Sequence, residues 1–315
     1  MSPASTEQFL LEQYIGHPAS QLQDLRKALY QSVFGCGHLI TDTSAAAEGI
    51  RRETAEAGPC SREIEALDGP WSRVQLGVLA DGLTPETLSR MFARSAAMSH
   101  GDADALQEKL TVLRRLIRSG ALPYSPAEAD AELDDWRKNG FPVCRHSEEY
   151  RAAYRPAYRV LHRTYVRLLP LLAAIDRALA ENPRVLLAIE GGAASGKSTL
   201  ADLLTAIYPD TALFHADDFF LRPEQRTAAR YAQPGGNLDR ERLESEILIP
   251  ISRNKAAVYR PFNCRTLSLR EPVTVLPGRL NIVEGSYSFH PELARYYDLS
   301  VFLDISPETQ RSRIL

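Results

Sequence analysis

Apolar positions along the first 180 or so residues recur mostly at helical spacing. In "DADALQEKLTVLRRLIRSG", Leu106, Leu110, Leu113 and Ile117 fall on one face, and Gly120 ends the run. "LTPETLSRMFARSAAM" opens with Thr84 as N-cap and Pro85 at the first helical position. "SPAEADAELDDWRKNG" repeats the device with Ser125 and Pro126, and Gly140 stops it. A further helical pattern runs from about Ala157 to Ala180. The pattern predicts an all-α domain over residues 1–182. It ends at Asn182-Pro183, because proline cannot continue a helix and disfavours helical geometry in the residue before it.

Beyond Pro183 the period changes. "RVLLAIE" is a continuous apolar run, as a strand buried on both faces requires. A helix from Lys197 to Ile207 follows, then the strand "TALFHA", the helical "DRERLESEILIPI", and the extended pieces "AAVYRPF" and "EPVTVL". "RLNIVEG" and "DLSVFLDI" are two more apolar strands. Strands alternating with helices predict an α/β domain over 183–315, built on a parallel sheet covered on both faces.

Composition changes this picture little. At 315 residues the chain has room for about two cores. It holds 37 Lys plus Arg against 40 Asp plus Glu, a net charge of −3 that offers no bulk attraction to nucleic acid or an anionic membrane. Cys36, Cys60, Cys144 and Cys264 are scattered without a C-x-x-C pair, which suits a reducing compartment. The N-terminus lacks the basic and apolar regions of a signal peptide, and the most apolar runs, such as Leu168 to Ile175, are too short to span a bilayer. The expectation is a cytoplasmic protein with a small-molecule partner, and with neither nucleic acid nor membrane as partner.

The chemistry sits at the strand–helix junction. Gly191-Gly192-Ala193-Ala194-Ser195-Gly196-Lys197-Ser198 satisfies G-x-x-x-x-G-K-[ST] without a mismatch, with Thr199 next in the helix. Small residues let backbone N–H groups close round phosphate oxygens at a helix N-terminus. Lys197 would reach the β- and γ-phosphates, and Ser198 would offer a hydroxyl to Mg²⁺. A guanine-reading N-K-x-D is missing: "NKAA" lacks the acid. The strand "NIVEGSY" ends in a single acid, Glu284, whereas motor ATPases pair two.

After the second strand comes "HADDFFLRPEQR". A carboxylate there, beside the cradle, could orient a hydroxyl and take its proton during phosphoryl transfer. Phe219 and Phe220 could wall a flat ring, although the dipeptide Asp217-Asp218 taken alone reads as a turn cap followed by core phenylalanines.

Together the cradle, "DDFF" and "IVEG" resemble the uridine kinase, nicotinamide riboside kinase and phosphoribulokinase group of P-loop kinases, over roughly residues 184–315. The resemblance implies ATP and Mg²⁺ as cofactors and transfer to a hydroxyl of a small, sugar-bearing metabolite. It makes Asp217 the catalytic base, Asp239 in "GGNLDRERL" a ligand of the ribose hydroxyls, and Glu284 a holder of Mg²⁺ with Ser198. Tyr259 in "VYRPFN" matches an aromatic near the nucleobase. Arg260 stands where the group has an acid, which suits an acceptor carrying negative charge. Arg311 and Arg313 match the start of an arginine-rich lid that would steady the transferring phosphate with Lys197, and on this pattern the domain is expected to stop in or before its lid. A rival reading is a catalytically weak nucleotide-binding regulator or scaffold; another is an ATPase acting on nucleic acid.

Three other features invite a function. "YRAAYRPAYRVLHRTYVR" would set Tyr150, Tyr154, Tyr158 and His162 on one helical face beside an arginine stripe, although Pro156 interrupts it; packing tyrosines and solvated arginines are the favoured reading over an RNA surface. Cys36 and His38, and Cys144 and His146, form C-x-H pairs that fall short of a zinc ligand set. His215 reads as a packing histidine.

Overall fold

The computed structural model describes residues 3–36, 43–58 and 60–315, and His38 of the first C-x-H pair lies outside them. The chain divides into two compact units, Met1–Ala174 and Ile175–Leu315.

The N-terminal unit carries helices α1 (Pro3–Gly16), α2 (Leu22–Phe34), α3 (Thr43–Ala57), α4 (Pro85–Ala97), α5 (Ala103–Arg118), α6 (Pro126–Lys138), α7 (Glu148–Tyr154) and α8 (Arg163–Val166); α9 (Leu169–Glu181) begins there and runs on into the second unit. The caps form where the sequence puts them. Thr84 accepts from the N–H of Thr87 at 3.2 Å, and Ser125 from Glu128 at 3.5 Å. Leu106, Leu110, Leu113 and Ile117 of α5 are all buried.

The unit is not all-α. A three-stranded antiparallel sheet, β1 (Ile64–Ala66), β2 (Trp71–Gln75) and β3 (Tyr158–His162), runs through it in that order, with Trp71 opposite His162 and Gln75 opposite Tyr158. The expected helix from Ala157 to Ala180 is therefore a strand, a short turn of helix and then α9. Two local facts stop α7 first. Arg155 takes a left-handed φ of 43°, and Pro156 follows without an N–H to give. The spacing of Tyr150, Tyr154 and Tyr158 is thus shared between a helix and a strand, and no continuous tyrosine or arginine face exists.

Partners distant in sequence hold β2 in place. Arg73, 1% exposed, donates from Nε to Gln31 Oε1 at 2.8 Å, pairs with Glu65 at 3.3 Å, and lies over the Tyr158 ring at 5.1 Å. A buried guanidinium needs all these partners, since an unpaired one would cost several kcal/mol.

In the C-terminal unit β4 (Val185–Gly191), β5 (Thr211–His215), β10 (Leu280–Glu284) and β11 (Leu299–Leu303) make a parallel sheet in the order β11-β4-β10-β5. The intervening strands β6 (Ala257–Tyr259) and β9 (Val273–Val275) pair antiparallel, as do β7 (Phe262–Asn263) and β8 (Ser268–Leu269). Helix α10 (Lys197–Ile207) buries Leu200, Ala201, Leu204 and Ile207, and lies along β4, β5 and β10. Leu186, Phe214 and Val283 of the strands share a core with Phe219, Leu243, Ile247 and Tyr259. All of β10 is buried, so its acid at the carboxyl end, Glu284, stands in the middle of the sheet edge where open α/β sheets bind ligands.

No helix among the described residues is long and apolar enough to cross a membrane.

Candidate nucleotide site

The loop from β4 to α10 has the backbone of an anion nest. Gly191 sits at φ 153°, and a Cβ there would lie 2.5 Å from the Leu303 carbonyl oxygen and 2.7 Å from Ser195 Oγ. Ala194 takes φ 55° and Gly196 φ 99°, the latter as N-cap of α10. These left-handed turns tilt successive N–H groups inward, toward the positive end of the helix dipole. Ser195 Oγ is buried and without a hydrogen-bond partner inside this loop. Lys197 Nζ donates to the carbonyls of Gly191 and Gly192 at 3.0 and 2.9 Å, which holds the ammonium at the loop. Ser198 and Thr199 are exposed on the first turn of α10.

Register does the rest. Glu284 pairs with Ile189 of β4 on one side and with His215 of β5 on the other. Strand spacing of about 4.8 Å puts the ends of β4 and β5 roughly 10 Å apart with Glu284 between them. Ser198 Oγ donates to Glu284 Oε1 at 3.2 Å, so the two residues expected to hold a metal meet. The hard oxygens of a hydroxyl and a carboxylate suit Mg²⁺, which keeps waters and takes one or two protein ligands.

His215 belongs to this group, contrary to its expected packing role. Its ring is 47% exposed and its Nδ1 lies 2.6 Å from Glu284 Oε1. The hydrogen bond to Glu284 raises its pKa, burial opposes, and the charges of Glu284, Asp218 and Asp217 add to the rise. The imidazolium so favoured balances a carboxylate that is only 6% exposed. The clue was in the sequence: His215 ends the strand just before the acidic pair, although only the register puts it beside Glu284.

Asp217 and Asp218 lie on a 3-10 turn, Ala216–Phe219, just past β5. Asp217 is exposed and Asp218 half-buried. Burial raises the Asp218 pKa against the pull of His215, Arg270 and Arg242. Gly285, at φ 147°, lets this turn approach, because a Cβ there would stand 2.6 Å from Ala216 Cβ.

Arg311 and Arg313 lie on α11 (Pro307–Ile314), and both are exposed. Arg313 Nη1 donates to the Ala194 carbonyl at 2.9 Å. Gln310, which nothing in the sequence singled out, donates to the Ala193 carbonyl at 2.9 Å. The outer rim of the cradle is therefore bound by this helix.

The expected acceptor residues fare differently. Phe219 is fully buried, with Tyr259 stacked on it at 5.4 Å and the Arg242 guanidinium 5.1 Å over its ring. Both aromatics are core, so neither offers a ring face to a ligand. Asp239 is 1% exposed. Its Oδ1 accepts from the N–H of Arg242 at 3.3 Å, capping the turn Arg240–Leu243, and its Oδ2 accepts from Gln225 at 3.0 Å. That is a structural cap, with no oxygen presented to a diol. Arg260 is exposed, but it donates to the carbonyls of Arg270 at 2.7 Å and Leu269 at 3.3 Å, fastening β8. Sequence spacing does not tell a ligand-facing acid from a capping one, because both precede a helix.

No protein-family model matches the chain, and no curated protein matches it. Among solved structures, one described as a possible uridine kinase from Bacillus stearothermophilus is similar over 44% of this chain and 84% of that one, at 20% identity and a TM-score of 0.36. A likeness that slight says nothing of what either chain acts on.

Proposed function

We propose that the C-terminal unit transfers the γ-phosphoryl group of ATP to a hydroxyl of a small, sugar-bearing metabolite. One observation carries the reading most: Glu284, at the end of the central strand, is bonded to Ser198 of the cradle and stands between that cradle and the turn bearing Asp217. Carboxylates on both sides of the expected γ-phosphate position suit a kinase, where one group helps hold the metal and another handles the acceptor proton.

In this scheme the loop amides and Lys197 hold the phosphates. Ser198 and Glu284 would hold Mg²⁺, which neutralises charge on the phosphate oxygens. Asp217 orients the acceptor hydroxyl and takes its proton as the oxygen–phosphorus bond forms. The bond from the γ-phosphorus to the β–γ bridging oxygen breaks, and ADP leaves. Arg311 and Arg313, on a helix bonded to the loop rim through Gln310 and Arg313, would meet the charge spread over the transferring group. With Phe219, Tyr259 and Asp239 committed to packing and capping, acceptor recognition rests on Asp217, Asp218 and the cations near them.

The test is ADP release with Mg-ATP and a panel of nucleosides and phosphosugars, followed with phosphorylation of the acceptor. Acceptor-stimulated release that Asp217→Asn abolishes supports the proposal. Nucleotide binding without any such stimulation would assign the unit to holding ATP as a regulator, and stimulation by RNA or DNA would point to a nucleic-acid ATPase.

A further inference from the structure

The N-terminal unit has a cavity of about 410 Å³, within the range of small-molecule sites. Lys27 of α2, Gly49 of α3, Phe92 of α4, His146, and Tyr158 and Arg159 of β3 are among the residues lining it. Behind it runs a hydrogen-bond relay whose direction the partners fix. Asp24 accepts at Oδ1 from the Ser147 N–H at 3.0 Å, and at Oδ2 from Ser147 Oγ at 2.5 Å and the Gln21 N–H at 2.9 Å. Burial works against its ionisation, but these bonds and that to His146 outweigh it and lower its pKa. As a carboxylate Asp24 can only accept, so His146 Nδ1, 2.8 Å from Oδ1, carries the proton.

His146 is held neutral chiefly by burial, so Nε2 is an acceptor, and Tyr158 must donate its hydroxyl proton to it across 2.6 Å. The phenol oxygen is thereby left as an acceptor. Gln31 Nε2 donates to it at 3.4 Å, a long bond that occupies one lone pair and leaves the other for a ligand. At the same cavity, the Lys27 ammonium uses one N–H on the Cys144 carbonyl at 2.9 Å and has two more to give. Arg159 is matched by Glu53, with both bonds at 2.8 Å, so among the described residues the cation of the lining without a carboxylate partner is Lys27. Phe92 and Val160 supply an apolar wall.

We propose that this cavity binds a small organic hydroxycarboxylate, with its carboxylate on the Lys27 ammonium, its hydroxyl donating to the Tyr158 oxygen and its carbon skeleton against Phe92. A ligand lacking the hydroxyl leaves the phenol oxygen with only the long bond from Gln31; one lacking the carboxylate leaves Lys27 desolvated beside it. Glu53 and the buried Asp24 disfavour a larger polyanion.

Isothermal titration of the full chain with L-lactate, L-malate and 4-hydroxybenzoate tests this, with propionate, succinate and benzoate as the respective deoxygenated controls. At least one hydroxyacid should bind one-to-one with Kd of about 1 mM or tighter, and more tightly than its control. Lys27→Met should weaken it about tenfold or more, as loss of a charge-assisted bond does. Tyr158→Phe should remove the preference over the control. Gly49 offers a variant away from the relay: a Cβ there meets nothing within 4 Å, and leucine favours the helix, so Gly49→Leu should fold normally, melt no lower than the parent does, and block binding by filling the space. Lys197→Ala should leave the affinity unchanged. Saturable binding by none of the three acids, or affinity unaltered in both Gly49→Leu and Lys27→Met, would overturn the proposal.

Discussion

In the proposed reaction Asp217 and Lys197 would divide the work of the candidate site, so their variants should fail differently. Asp217→Asn keeps size and removes the proposed proton acceptor, so kcat should fall by about 10²- to 10⁴-fold while nucleotide affinity holds. Lys197→Ala removes the ammonium bonded at the loop and should weaken nucleotide binding as well as turnover, as steady-state kinetics with a direct nucleotide titration would read. Equal loss of nucleotide affinity in both variants would contradict the assignment. His146 yields a pH prediction. Burial first, then the charges of Arg73 and Lys27, push its pKa down to about 4, against the opposing bond to Asp24. Between about 6.5 and 4 the unfolded chain therefore binds more protons than the native one, so stability falls as pH falls through that window. The loss should reach at most about 3 kcal/mol, and His146→Gln should flatten the dependence in urea midpoints measured across it. A steeper fall in the variant would contradict a neutral native His146.

Close approaches between elements are where single residues carry most structure. Gly285 separates β10 from the turn that bears Asp217, and its added Cβ would press on Ala216 at a φ that side chains rarely adopt. Gly285→Ala should destabilise by about 1–3 kcal/mol and displace Asp217, costing activity beyond the stability loss. Urea denaturation beside kcat at a temperature where both proteins are folded separates the two effects; an unchanged midpoint would show that the turn does not need the glycine. Helix caps at Thr84 and Ser125 were legible because capping depends on neighbouring residues alone. β3 was not legible. The run after Pro156 has helical and extended readings alike, and its partner β2 lies far back in the chain, so pairing decided it. Asp239 and Phe219 show the same limit within the candidate site, since burial settles their roles and burial depends on what packs above them.

For the whole molecule, ligand linkage gives a test that needs no acceptor. Mg-ATP bound only by the native state should raise the melting temperature. At about one hundred times Kd the gain is about 2.7 kcal/mol, and Lys197→Ala should lose most of it. A melting temperature indifferent to nucleotide in the parent chain would remove the cradle's function.

By itself the sequence determined the phosphate loop, the alternation of strand and helix after Pro183, and most helix ends before it. Each depends on residues close together in the chain, where φ, capping and periodicity act. Only the tertiary structure decided that His215 meets Glu284, that Asp239 caps instead of presenting its carboxylate, that Phe219 is core, and that Tyr158 belongs to a strand. Those outcomes depend on register and burial, which are set by partners tens of residues away, and local pattern carries little of that information.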